Sequence, residues 1–128
     1  MKVLVVDDEQ NYLTLMGDLL RGRGHDVLLA SDGKEAREIL DAEGVDLVVT
    51  DLFMPTMDGF RFHSYVRDFA ECRDLPFIFV SGAQDERTNE AVVDPRVDFF
   101  FAKTAPVEQV LSLVDRLAAQ RRTSSTPA

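Results

Sequence analysis

Four short polar clusters each follow an apolar run: Asp7-Asp8-Glu9 after Lys2–Val6, Asp51 after Asp46–Thr50, Ser81-Gly82 after Pro76–Val80, and Lys103 after Val97–Ala102. If those runs are neighbouring strands, Asp7, Asp8 and Asp51 converge on one rim with Lys103 beside them. Two carboxylates about 4 Å apart repel by about 4 kcal/mol at an effective dielectric near 20. That is a large part of the ~5–15 kcal/mol that keeps a domain folded. A raised pKa, the Lys103 ammonium or a bound cation must offset it. Hard oxygen donors at a solvent-facing rim favour Mg2+, which accepts a few carboxylates and keeps several waters. A carboxylate beside Mg2+ and a lysine is also placed to accept a phosphoryl group, because both cations neutralise charge on the transferring oxygens. The Ser81 hydroxyl can hydrogen-bond one of those oxygens.

The elements that must position these groups follow from hydrophobic periodicity. Lys2–Val6, Val27–Ala30, Asp46–Thr50, Pro76–Val80 and Val97–Ala102 read as five buried strands. Between them run amphipathic stretches. Leu13, Met16 and Leu20 share one helical face, ended by Arg21-Gly22-Arg23-Gly24. Ser31 or Asp32 can cap a second helix facing inward through Ala36, Ile39 and Leu40, and Asp58 a third through Phe62, Tyr65, Val66 and Phe69. Gln84–Val93 carries a weak stripe bounded by Pro95, and Val107, Val110, Leu111, Val114 and Leu117 form the cleanest stripe in the chain. The alternation predicts an α/β fold: a doubly wound, five-stranded parallel sheet with helices on both faces. Functional groups in such sheets gather at the carboxyl ends of the strands, where the polar clusters lie. Residues 1–122 read as one domain, and Thr123–Ala128 as a flexible tail.

Composition narrows the function classes. The chain has 128 residues and a formal net charge of −9 from 23 acidic and 14 basic side chains, which disfavours direct contact with nucleic acid or anionic membranes. No apolar run approaches the ~18 residues of a membrane span, and Asp7 arrives too early for a signal peptide's apolar segment. The lone Cys72 excludes an internal disulfide and fits a reducing, cytoplasmic setting. His25 and His63 lack metal-ligand spacing and read as surface or loop residues, and Met54 and Met57 as loop packing.

Asp7-Asp8, the run Asp51-Leu52-Phe53-Met54-Pro55-Thr56-Met57-Asp58-Gly59, Ser81-Gly82 and Lys103 together resemble a response-regulator receiver domain of bacterial two-component signalling. The resemblance extends from Lys2 to about Ala119 and implies a flavodoxin-like strand order, 2-1-3-4-5. By position it makes Asp51 the phosphoacceptor. Asp8 becomes a direct Mg2+ ligand, Asp7 a ligand mainly through water, and the Phe53 backbone carbonyl a further metal oxygen, with Asp51 completing the set. Ser81 becomes the hydroxyl that closes on the phosphoryl group, Lys103 its counter-ion, and Phe100 the aromatic that swings inward on activation. Phe53 and Ala83 occupy the two variable flanking positions that tune phosphoryl lifetime. The implied partners are a histidine kinase or phosphotransfer protein and an unidentified downstream protein. The implied output surface comprises the fourth helix (Gln84–Val93), the fifth strand and the last helix. The domain itself catalyses only its own phosphotransfer and dephosphorylation.

Each residue also has a plainer reading: Asp7 and Asp8 as helix caps, Asp51 as a turn residue, Ser81 as a loop hydroxyl, Lys103 as a solvated lysine and Phe100 as packing. The chain departs from the family at Lys103-Thr104-Ala105-Pro106, where the family has proline directly after the lysine with a cis peptide. A cis bond before threonine would cost about 3–4 kcal/mol, so a trans link is expected. Asp94-Pro95-Arg96-Val97 replaces the family's Gly-Ala, which predicts a rebuilt turn beside the output surface. Phe53 adds bulk without a hydrogen bond to steer water, which predicts slow self-hydrolysis. Two rivals remain: a pseudo-receiver adaptor that is never phosphorylated, and a Mg2+-dependent aspartyl phosphatase, whose Asp-x-Asp arrangement Asp7-Asp8-Glu9 does not match. No output domain is recognisable, so the chain reads as a stand-alone receiver or as one cut from a longer protein.

Overall fold

The computed structural model describes residues 1–51, 59–68, 74–82 and 96–124. Phe53, Asp58, Ala83, the helix expected at Gln84–Val93 and the Asp94-Pro95 turn lie outside these residues. The described elements are β1 (Lys2–Val6), α1 (Gln10–Gly22), β2 (Asp26–Ala30), α2 (Gly33–Glu43), β3 (Leu47–Thr50), α3 (Gly59–Arg67), β4 (Phe77–Ser81), β5 (Asp98–Ala102) and α4 (Val107–Ser124). The five strands form one sheet in the order β2-β1-β3-β4-β5, and every neighbouring pair is parallel.

Strand alternation divides the core between the two faces. Val3, Val5, Leu47, Val49, Ile78 and Val80 meet Leu13, Met16 and Leu20 of α1 and Val110, Leu111 and Val114 of α4. Leu4, Val6, Val48, Phe77 and Phe79 meet Ala36 of α2 and Phe62 and Val66 of α3. Because both faces are covered, the central strands are continuous apolar runs rather than alternating ones. Among the described residues the expected helix faces are the observed ones, with Tyr65, Ile39 and Leu40 at the edge of the second cluster; Phe69 lies outside the described residues.

Strand ends differ slightly from the sequence reading, for local reasons. Asp46 lies just before β3, where its backbone N donates to Lys2 O at 2.8 Å and its carboxylate accepts from Lys2 N at 2.9 Å. Pro76 has no N–H to donate and serves only as an acceptor, from Val48 N at 3.0 Å. Asp32 is the cap of α2 and accepts from Glu35 N at 2.8 Å, while Gly44 closes the helix at φ 71°, a conformation costly for any residue with a Cβ. α4 continues through Thr123 and Ser124, into the segment expected as a tail.

His25 lies in the loop between α1 and β2, as one of the two expected readings has it, but His63 lies inside α3 and requires correction. His25 is 7% and His63 4% exposed, so neither is a surface residue. His63 Nε2 donates to Asp98 Oδ1 at 2.9 Å, since a carboxylate can only accept. Its ring stands edge-on to Phe77 with centroids 4.8 Å apart. Arg67 reaches the same Asp98 oxygen at 2.7 Å. His25 Nε2 pairs with Asp115 Oδ1 at 3.0 Å, and Arg23 joins Asp115 and Glu108 to bind the end of α1 to α4. Local spacing could not show this, because each partner carboxylate is remote in the chain.

That second network carries a pH prediction. The hydrogen bond from Arg23 holds the Glu108 carboxyl below the usual range, and those from His25 and Arg23 do the same for Asp115. A depressed folded-state pKa stabilises above the unfolded value, near pH 4, and that stabilisation disappears as pH falls through the depressed values. Urea melts from about pH 5 down to pH 2 should therefore show a shallower loss of stability in Arg23→Ala than in the wild type.

Candidate functional site

The strand ladder itself positions the rim. Asp7 N donates to Ala30 O at 3.1 Å, Asp51 N to Val6 O at 3.1 Å and Lys103 N to Ser81 O at 2.9 Å. Each bond carries the pairing one residue past a strand, so the site residues inherit the sheet's rigidity. Asp7 and Asp51 are buried at 1% and 7% exposure, while Asp8 faces solvent. Neither Asp7 nor Asp8 caps α1: Glu9 holds the cap position, and Asp7 Oδ1 accepts from Glu9 N at 2.9 Å.

Carboxylate oxygens from Asp7, Asp8 and Asp51 all lie within 4.8 Å of one another. Lys103 enters from beyond β5, its ammonium 2.9 Å from Asp7 Oδ2 and 3.2 Å from Asp51 Oδ2. The Lys103–Thr104 link is trans, as the chemistry of a non-proline bond predicts. The lysine therefore reaches the acids without a proline directly after it.

The electrostatics of the pair run in one direction. Burial pushes the Asp7 carboxyl up, against the hydrogen bond from Glu9 N and the Lys103 charge, which lower it. Burial also opposes the Lys103 charge, but Asp7 and Asp51 outweigh it and hold the ammonium well above the ordinary lysine range. Asp7 Oδ2 is buried, with the Lys103 ammonium 2.9 Å away. A buried carboxylate oxygen among three hard-oxygen ligands that lie within 4.8 Å of one another fits a divalent cation of the Mg2+ type.

Ser81 is buried at the end of β4, paired with Ala102 and joined to Lys103 through its backbone. Phe100 is half-buried against the α2–α3 cluster, whereas Phe99 and Phe101 pack on the α1–α4 side. Phe53 and Ala83 lie outside the described residues. Sequence reasoning missed two groups around Lys103. Glu9 Oε2 accepts from its ammonium at 3.3 Å, and the Tyr12 ring lies under it, 4.8 Å from nitrogen to centroid. Adjacency to the acid pair was a usable signal for Glu9, but Tyr12 offered none, because its partner is at the far end of the chain. Burial, with the Asp7 charge second, pushes the Tyr12 phenol up to about 12.

Residues 3–115 match the model of the response regulator receiver domain. The chain belongs to that family. Response regulator RR06 of Streptococcus pneumoniae is 34% identical to this receiver domain over 119 residues, which cover 93% of the chain and 52% of the relative. The CAI-1 autoinducer sensor kinase/phosphatase CqsS of Vibrio cholerae is 30% identical over 114 residues, or 88% of the chain and 17% of the kinase. The receiver domain thus spans about half or less of these relatives. Among solved structures, response regulator TrrA of Thermotoga maritima superposes with a TM-score of 0.77 at 24% identity, covering 91% of this chain and 97% of that one, and shares its fold. The observed strand order is the one the resemblance implies. Among the described residues, no helix of the receiver domain is long and apolar enough to cross a membrane.

Proposed function

We propose that this receiver domain takes a phosphoryl group onto Asp51 and thereby switches a protein-binding surface. The donor is the phosphohistidine of a histidine kinase or phosphotransfer protein, or a small phosphodonor, in the cytoplasm. The observation that carries the reading is the Lys103 ammonium 3.2 Å from Asp51 Oδ2, on a rim where Asp7, Asp8 and Asp51 bring their oxygens within 4.8 Å. TrrA was crystallised in complex with Mg2+ and BeF, and such a ligand pair suits the donor set here.

Asp7, Asp8, Asp51 and the Phe53 carbonyl would hold Mg2+, which when bound supplies positive charge to the transferring oxygens. An Asp51 oxygen attacks phosphorus as the P–N bond of the donor breaks, and the departing imidazole keeps the bonding electron pair and takes a proton from solvent. Lys103 neutralises charge gathering on the phosphoryl oxygens. Ser81, at the end of the adjoining strand, closes its hydroxyl onto one of them. Phe100 then moves inward, shifting the population of the surface formed by residues 84–93, β5 and α4, where downstream proteins bind without direct nucleic-acid contact.

Incubation with Mg2+ and acetyl phosphate, followed by intact mass measurement, tests the reading. The wild type should acquire one phosphoryl adduct and Asp51→Asn none. An absent wild-type adduct would turn the reading to an adaptor, and turnover of phosphate esters to a phosphatase. Phe53→Asn should dephosphorylate faster than wild type, because the amide can orient the attacking water; an unchanged or slower rate would remove Phe53 from the lifetime control.

A further inference from the structure

Lys103 is held from two sides. One side is acidic and shared: Asp7 Oδ2 at 2.9 Å and Asp51 Oδ2 at 3.2 Å belong to the carboxylate set that can bind a divalent cation. The other side belongs to the first turns of α1: Glu9 Oε2 at 3.3 Å and the Tyr12 ring face at 4.8 Å. These two contacts differ from the first pair. Neither Glu9 nor Tyr12 belongs to the carboxylate set that can hold a cation.

Without a metal, the ammonium provides the positive charge that the buried acids require. A dication placed among the same oxygens repels it, since like charges a few ångströms apart in a partly buried site are poorly screened. Lys103 must then leave Asp7 while staying close enough to Asp51 to meet a phosphoryl group. Glu9 and Tyr12 are, among the described residues, its contacts for which the cation does not compete. Glu9 supplies a counter-charge on a solvent-exposed side chain, 61% accessible. Tyr12 supplies an aromatic face that attracts a cation through its quadrupole. Tyr12 is itself anchored against the α1–α4 side of the core, so its ring is a fixed surface.

We propose that Glu9 and Tyr12 are positioning residues that form a berth for Lys103, receiving its ammonium when a divalent cation enters the acidic rim and so permitting that entry. The inference rests on the reading of the rim as a Mg2+ site. It assigns a role in the switch to α1, an element that the phosphoryl chemistry itself does not use.

The test is a double-mutant cycle read by calorimetric titration with Mg2+ alone, without a phosphodonor. Glu9→Gln should raise the Mg2+ dissociation constant about two- to fivefold, the range of an exposed ion pair. Tyr12→Leu should raise it by a similar factor, about two- to fivefold, and Tyr12→Phe, which keeps the ring face, should leave it close to wild type. In a Lys103→Met background the Glu9→Gln and Tyr12→Leu effects should both vanish, because no ammonium remains to be moved. A Glu9→Gln effect equally large without Lys103 would mean a simple field of the lost charge and would overturn the berth. So would a Tyr12→Phe variant as weak as Tyr12→Leu. Absence of saturable Mg2+ binding by the wild type would overturn the metal reading as well, whereas wild-type binding with an additive cycle removes the berth alone.

Discussion

Asp98→Ala is expected to destabilise the receiver domain by about 3–5 kcal/mol, the cost of removing one partner from a buried charged cluster. The side chain of Asp98 is completely inaccessible, and its Oδ1 accepts from both His63 at 2.9 Å and Arg67 at 2.7 Å. Truncation deprives a buried imidazole and a guanidinium only 16% accessible of their common acceptor. With a total stability of about 5–15 kcal/mol, the loss is a large share, and the melting temperature should fall by roughly 10–20 °C. Asp98→Asn retains an acceptor of the same shape and should lose less. Asp98 opens β5 at the end of the sheet away from the acidic rim, so Mg2+ titration of the folded variant should match the wild type. Equilibrium urea unfolding provides the check. A loss below about 1 kcal/mol would show that the cluster stabilises no more than an apolar packing would.

Lys103→Met should produce a second large effect, one that depends on metal. In chelator the variant leaves Asp7 and Asp51, 1% and 7% exposed, facing each other without the ammonium that lies 2.9 Å and 3.2 Å from them. A loss of about 3 kcal/mol is expected, since a buried acid pair must then be protonated or must repel. Saturating Mg2+ should restore most of it: a ligand present at about 100 times its dissociation constant stabilises the native state by about 2.7 kcal/mol, and the variant has no ammonium competing for the same oxygens. Wild type and variant melted side by side, with Mg2+ and with chelator, give the four temperatures required. A Mg2+ increment no larger in the variant than in the wild type would contradict competition between Lys103 and the cation.

Much of this site was legible in the sequence, because the parallel fold converts linear order into position. A buried strand reads as an apolar run, so the residue that ends the run sits on the rim whatever the rest of the chain does. Asp7, Asp51, Ser81 and Lys103 all follow from that rule, and the structure brings Asp7, Asp8, Asp51 and Lys103 together. The apolar stripes of α1, α2, α3 and α4 were legible for the same reason: burial repeats every three or four residues on a helix covering a sheet. Chemical preference also favoured the trans link after Lys103, since a cis bond before a residue other than proline costs about 3–4 kcal/mol.

What the tertiary structure alone decided is the set of pairings between residues far apart in the chain. His25 and His63 carry no local sign of burial, yet each is buried and held by an acid, Asp115 or Asp98, from another element. Glu9 and Tyr12 stand within a turn of the acid pair, but their contact with Lys103 exists only because β1 and β5, on opposite sides of the central strands, direct their carboxyl ends to one rim. Periodicity reports which face of an element is buried, since that depends on the element's own repeat. Which charge meets which depends on the order and twist of the strands, and no single segment of the sequence contains that information.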